Sequence, residues 1–223
     1  MCSRFALYSD PSKLAHRFSA EAAPSLIPQF NVSPTQTILL VREENDRRRF
    51  AQARWGLVPR WAKEKDIGYP AINARAETVA NKAIFRDAYR RRRCLIPADG
   101  FYAWQAVPDS KAKQPWFIVL RSRLPMALAG LWEQWRSPKG ELMKSCAIIV
   151  AAANELMRPI QNQMPVILAA EHWNDWLGLA THDAKFLQIF LKSYPDDDMS
   201  AWPVSTKVNN PQKDSEECIE AVK

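Results

Sequence analysis

Glycine is scarce in this chain: six residues in 223, against sixteen prolines. A phosphate-cradling loop or a dinucleotide-binding turn has little to be built from, and neither G-x-G-x-x-G nor G-x-x-x-x-G-K-[ST] occurs. Few glycines and many prolines suggest short elements joined by stiff turns rather than a long helical bundle. Histidine is almost as rare, with His16, His172 and His182 the three present, each in or beside an expected helix. There is no H-E-x-x-H, and no histidine is tied by spacing to a cysteine, so neither a metal site nor a Cys–His nucleophile pair finds support. The cysteines Cys2, Cys94, Cys146 and Cys218 form no C-x-x-C pair, and Cys94 and Cys146 sit in apolar runs as small hydrophobes. No apolar run is long enough to cross a bilayer, and the start lacks the apolar region of a signal peptide. A cytoplasmic monomer with no cofactor, no metal and no membrane partner is expected.

What is present leans the other way in charge. Thirty-one Lys and Arg against twenty-four Asp and Glu give a formal charge of +7. Such an excess suits a polyanion, nucleic acid first, and suits equally a basic surface kept for solubility. Nine tryptophans fall outside any repeat. With no repeat, low-complexity tract or linker, the expectation is one α+β domain over residues 1–211, a curved, strand-rich, barrel-like sheet with flanking helices. A charged tail, 212–223, is expected to fray.

Residues 2–8 read as a strand with Cys2 at a sheet edge. Asp10-Pro11 opens a helix that turns Leu14 and Phe18 inward, i and i+4. Further strands are expected at 37–41, 49–58, 94–96, 101–104, 115–121, 126–135, 145–152, 165–169 and 202–205. Charged turns fall at 43–49 and Pro138-Lys139-Gly140, and a Pro-Ala-Asp-Gly turn at 97–100. Helices are expected from Glu77 or Thr78 to Arg91, over 170–177 and over 183–193. Arg90–Arg93 suit the C-terminal end of the first of these.

Three stretches carry chemistry. Cys2 follows the initiator Met; once Met1 is removed, it bears an amine and a thiol on adjacent carbons, a pair that can close a five-membered ring on an aldehyde. In Trp55-Gly56-Leu57-Val58-Pro59-Arg60-Trp61, Trp55 lies in a strand, while Trp61 after the proline is placed for exposure and base stacking. In Asn73-x-Arg75-x-Glu77 an amide, a guanidinium and a carboxylate share one face of an extended segment. Arg75 can grip a phosphate there, or the face is simply solvated.

In order, Met1-Cys2-Ser3-Arg4-Phe5, Asn31-Val32-Ser33-Pro34, Trp55 to Trp61, Asn73-Ala74-Arg75-Ala76-Glu77-Thr78, Arg93 to Tyr102, Ala129-Gly130-Leu131-Trp132, Met164-Pro165-Val166-Ile167-Leu168 and Val204-Ser205 make a pattern. It resembles the SRAP family, the SOS response-associated peptidase domain, from residue 1 to about residue 211. The resemblance implies an abasic-site processing protein that binds single-stranded DNA and links Cys2 covalently, as a thiazolidine, to the ring-opened sugar. It implies Cys2 as nucleophile and Asn73 as the amide that positions the sugar. Arg4 and Arg75 would grip flanking phosphates, and Asn31, Pro34 and Trp61 would shape the DNA groove and stack on bases. Four positions depart from the family. Ala103 stands where the family has a glutamate, and Gln161 where it has a histidine, so the usual acid and base are missing. Ser3 and Val150 replace a glycine and a threonine. Slowed crosslinking is expected; the alternatives are a catalytically impaired single-strand binder and a peptidase limited to its own N-terminus.

Overall fold

A computed structural model describes residues 2–64, 71–178 and 183–222; Met1 and His182 lie outside them. The strands are β1 (Phe5–Leu7), β2 (Gln29–Val32), β3 (Thr37–Glu44), β4 (Arg47–Trp55), β5 (Asn73–Arg75), β6 (Arg93–Ala98), β7 (Gly100–Ala106), β8 (Lys113–Leu120), β9 (Met126–Arg136), β10 (Leu142–Ala152), β11 (Gln163–Pro165) and β12 (Met199–Pro203). The α-helices are α1 (Pro11–Phe18), α2 (Arg86–Arg91), α3 (Trp173–Leu177) and α4 (Ala184–Gln188).

Five strands close on themselves. The order β10-β4-β3-β6-β9 returns to β10, which pairs with both β4 and β9. The barrel interior is filled by inward residues such as Leu40, Trp55, Cys94, Cys146 and Ile148. β5 and β11 extend this sheet along the C-terminal half of β10. A second sheet, β12-β8-β7-β1-β2, stands against it. The barrel-like α+β expectation therefore holds, with the curved sheet divided into a closed barrel and a companion.

Local chemistry explains several joints. The expected charged turn at 43–49 shrinks to Asn45-Asp46, both at positive φ (53° and 57°), the geometry that two-residue hairpins favour. Its flanks become cross-strand pairs of opposite charge, Glu43 with Arg48 and Glu44 with Arg47. The expected turn at 97–100 is a corner between sheets: β6 ends in the barrel and β7 starts in the second sheet after Asp99. Asp99 holds that corner by accepting from Tyr8 N at 2.6 Å, Ser9 N at 2.7 Å and Ser9 Oγ at 2.6 Å. Gly100 is required there, because a Cβ would come within 2.3 Å of Phe117 Cζ and 2.8 Å of the Ile118 carbonyl.

The helices are shorter than their patterns suggest. Between residues 75 and 86 each of Arg75, Thr78 and Lys82 accepts two successive N–H groups, giving separate turns before α2 begins at Arg86. Val79, Phe85, Ala88 and Tyr89 are still buried, so packing rather than helical continuity satisfies the apolar pattern. Arg93, itself buried, closes α2 by donating to the Tyr89 and Arg90 carbonyls and also reaches Trp176 and Gly178 of the α3 end. α4 ends at Gln188 instead of continuing to 193, and the strand expected at 165–169 is Gln163–Pro165 with one isolated bridge from Ile167 to Leu128.

The chain end does not fray. Cys218 is buried, Ala221 bridges Val204, and Trp202 Nε1 donates to the Ile219 carbonyl at 2.8 Å. No described helix is long and apolar enough to cross a membrane.

Candidate functional site

The N-terminal residues lie against the meeting point of both sheets. β1 runs between β7 and β2, so it is an interior strand and not an edge. Its pairing extends backward: Tyr102 N donates to the Arg4 carbonyl at 3.1 Å, which brings the following residue, Ala103, alongside the first residues of the chain. Cys2 precedes the strand and is held from elsewhere. Asn73 Nδ2 donates to the Cys2 carbonyl at 2.8 Å, so two residues 71 apart in sequence are joined directly.

That contact has a cause in the fold. β5 pairs with β10 in parallel, Asn73 opposite Ile148 and Arg75 opposite Val150. Ala74 between them is buried, which turns Asn73 and Arg75 to the other side together. Glu77 falls beyond the strand, so the three-residue polar face is a two-residue one. Arg75 is exposed.

Cys2 is buried at 0% exposure, and burial pushes its thiol up to about 12 against a weak Sγ contact, 3.9 Å, to the Arg4 carbonyl. The thiol is therefore held protonated at neutral pH. Arg4 is half-buried; its Nη1 donates to the Ser3 carbonyl at 3.2 Å, and desolvation lowers its pKa. Two buried polar atoms here have no partner, Arg4 Nε and Asn73 Oδ1. A donor and an acceptor left open on either side of a cysteine suit a polar ligand with both kinds of group.

Ala103 and Gln161 lie on elements tied to one another. Ala103 on β7 is fully buried and apolar. Two residues on, Gln105 Nε2 donates to the Pro159 carbonyl at 3.1 Å, tying β7 to the turn that leads into Gln161. Gln161 Nε2 donates to the Gln163 carbonyl at 3.0 Å, at the start of β11, whose Pro165 lies opposite Val150. Val150 is buried between β5 and β11.

Asn31 is placed otherwise than expected. It is 1% exposed, and its Nδ2 donates to the carbonyls of Val208, Asn210 and Lys213. Asp214 answers by accepting from Phe30 N and Asn31 N. Asn31 binds the chain end to β2 and offers no donor to a groove. Pro34 is half-buried on the turn before β3, and Thr35 beside it is exposed at φ 75°.

Trp61 is 60% exposed, on a loop fixed from beneath. Val58 N donates to Ser145 Oγ at 2.9 Å, Trp135 Nε1 to the Ala62 carbonyl at 2.7 Å, and Ala62 N to the Pro59 carbonyl at 2.9 Å. Glu133, buried and ion-paired with Arg92, lies beneath Arg60; burial raises its pKa while Arg92 opposes the rise. Sequence reasoning missed Glu133, Trp135 and Ser145. The signal was available: Leu131, Glu133 and Trp135 share one side of β9, and a polar residue on an otherwise apolar side needs a partner.

Among the described residues no group of three His, Cys, Asp or Glu could hold a metal ion. His16 is exposed, and His172 packs its ring 5.0 Å from that of Phe190, away from these elements.

Fold and site together define a one-domain α+β barrel that buries Cys2 with its carbonyl bound by a carboxamide, Arg4 just before β1 and Arg75 at the end of β5. The chain belongs to the SOS response associated peptidase (SRAP) family, whose model matches residues 1–211. It is 42% identical to the abasic site processing protein YoqW of Bacillus subtilis (strain 168) over 99% of this chain and 100% of that one. It is 30% identical to the abasic site processing protein HMCES of Xenopus tropicalis over 87% of this chain and 66% of that one. A crystal structure of a Bordetella bronchiseptica protein, 27% identical, superposes with TM-score 0.80 over 92% of this chain and 100% of that one. One from Bacteroides thetaiotaomicron, 22% identical, shares the fold at TM-score 0.89 over the whole of both chains.

Proposed function

We propose that this chain processes abasic sites in single-stranded DNA by joining Cys2 to the ring-opened sugar. The observation that carries this is the Asn73–Cys2 hydrogen bond, because it fixes the backbone of the residue that must present amine and thiol together. The names of the SRAP relatives support the substrate. Removal of Met1 frees the Cys2 α-amine, whose reference pKa of roughly 7.7–8.0 leaves part of it neutral at pH 7. The neutral amine adds to the sugar aldehyde and water leaves, giving a C=N bond. The thiol then adds across that bond, sulfur to carbon and its proton to nitrogen, closing a thiazolidine with one water released overall. Asn73 Oδ1 and Arg4 Nε, buried without partners, are the groups that would bind the sugar and an adjoining phosphate. Arg75 and Trp61 supply a second phosphate contact and a stacking face.

The missing acid and base set the pace. Ala103 cannot protonate the departing hydroxyl, and the amide of Gln161 cannot shuttle a proton, so solvent must do both. Loss of positioned acid–base help costs about 10²–10⁴-fold. The test is to incubate Met1-processed protein with an oligonucleotide bearing one abasic site and to resolve the products under denaturing conditions. A slowly accumulating adduct that Cys2→Ala abolishes is expected. No adduct from either protein, with DNA still bound, would leave the alternative, a non-covalent binder, which the apolar burial of Ala103 favours.

A further inference from the structure

Beside Pro34 the outer wall of the barrel carries a shallow groove that the covalent chemistry does not use. It crosses four adjacent strands. Thr35 and Thr37 stand at its β3 side, Gln52 and Arg54 on β4, Lys144 on β10 and Gln134 on β9. The pairings set these strands side by side, Thr37 opposite Arg54 and Lys144 opposite Gln134; Ser145, the partner of Arg54 on β10, is buried, and Ala53, Leu142 and Met143 complete the lining. Three inter-strand steps give it a span of about 14 Å.

The chemistry of the row is one-sided. No carboxylate is among its described lining residues. Arg54 and Lys144 form no ion pair with any described residue; Arg54 donates only to the Gly56 carbonyl, at 3.4 Å. The remaining polar groups are hydroxyls and amides, which donate to phosphate oxygens as readily as they bind water. No aromatic ring lines the groove, so it lacks the stacking face that base recognition on single strands uses.

Its entrance is held in a costly conformation. Thr35 has φ 75°, unfavourable for a β-branched residue. The turn is over-determined by Thr35 N to the Trp55 carbonyl at 2.8 Å, Trp55 N to the Gln36 carbonyl at 2.9 Å, and Ser33 N to Gln36 Oε1 at 2.8 Å. Strain kept up by surrounding hydrogen bonds is found where a surface must be presented in one shape.

We infer that this groove is a sugar–phosphate track: DNA leaving the Cys2 site past Pro34 continues along the groove bordered by β3, β4, β10 and β9, with Arg54 and Lys144 each neutralising one phosphate. The inference rests on the DNA-processing function above and extends it to flanking nucleotides. The groove reads charge and not sequence, so it lengthens the footprint without narrowing the choice of bases.

Affinity for undamaged single-stranded oligonucleotides of increasing length, measured by fluorescence anisotropy between 50 and 200 mM salt, tests it. Wild type is compared with the double variant Arg54→Gln, Lys144→Gln, which keeps polar side chains on an exposed face. Two lost phosphate contacts lower the log–log salt slope by about 1.4, so the fourfold rise in salt weakens wild type about sevenfold more than the variant. On oligonucleotides too short to leave the Cys2 site the two proteins bind alike. A wild type that binds while the variant keeps the full slope on long strands overturns the track alone. A wild type that binds no DNA overturns the track and also the function on which it rests.

Discussion

At the scale of single residues, the proposed reaction has Cys2 as its nucleophile and finds Ala103 and Gln161 where acid and base would be of use. Cys2, Arg4, Asn73 and Arg75 stood out in the sequence by residue type and by the blocks they sit in, and the structure joins Asn73 to Cys2. The Cys2–Asn73 bond itself was not legible there, since nothing in the spacing of residues 2 and 73 sets the register of β5 on β10. Asn31 shows the opposite failure. A carboxamide beside a Pro-bounded turn looks like a ligand group, yet three carbonyls of the chain end take its amide. Ala103→Glu with Gln161→His supplies the carboxylate and the imidazole that the proposed reaction lacks. Adduct formation with abasic DNA is expected to accelerate by about 10²-fold or more, the lower end of acid–base assistance. Time courses of the adduct check this, and a doubly substituted protein that folds but gains nothing would show that these positions do not limit the rate.

At the scale of elements, the loop carrying Trp61 is a platform set in advance. Its exposure was readable from the proline before it, whereas its anchors were not, because they come from β9 and β10, more than seventy residues later. Ser145 is the most telling of them. Its hydroxyl is the acceptor for the buried Val58 N–H. Ser145→Ala would leave that donor without a partner, which costs about 1–3 kcal/mol. Denaturant unfolding should show the loss as a lower midpoint with an unchanged slope. If the loop instead relaxes to reach water, the penalty will be small and the Trp61 emission will shift. Strands were easier to foresee than helices for a related reason. Period-two burial survives irregularity, but a helix needs unbroken i to i−4 bonds, and the turns at 75–86 break them while keeping Val79 and Phe85 inside.

At the scale of the whole molecule, burial of weak acids makes stability depend on alkali. Burial raises the thiols of Cys2, Cys94 and Cys146 and the phenols of Tyr89 and Tyr102. Each folded-state pKa lies above the unfolded one, so between the two values the unfolded chain has lost a proton that the folded chain keeps. With fewer protons bound in the unfolded state, unfolding free energy falls as pH rises. The decline starts near pH 9, and each such group contributes about 1.4 kcal/mol per pH unit once its unfolded form has ionised. Thermal midpoints measured from pH 7 to 10.5 should be level at first and then drop with increasing steepness. A flat profile through pH 10.5 would mean these groups reach solvent in the folded state.

The dependence of Asn73 on β10 also has a consequence in time. The strand bearing Asn73 has no described strand neighbour except β10, so Cys2 cannot receive its hydrogen bond until residue 150 has been made. At ribosomal speeds of about 5–20 residues per second, that leaves roughly 8–30 s in which the nascent N-terminus is loose. The methionine removal that the proposed linkage requires has its opening during translation, before later strands draw Cys2 out of an aminopeptidase's reach.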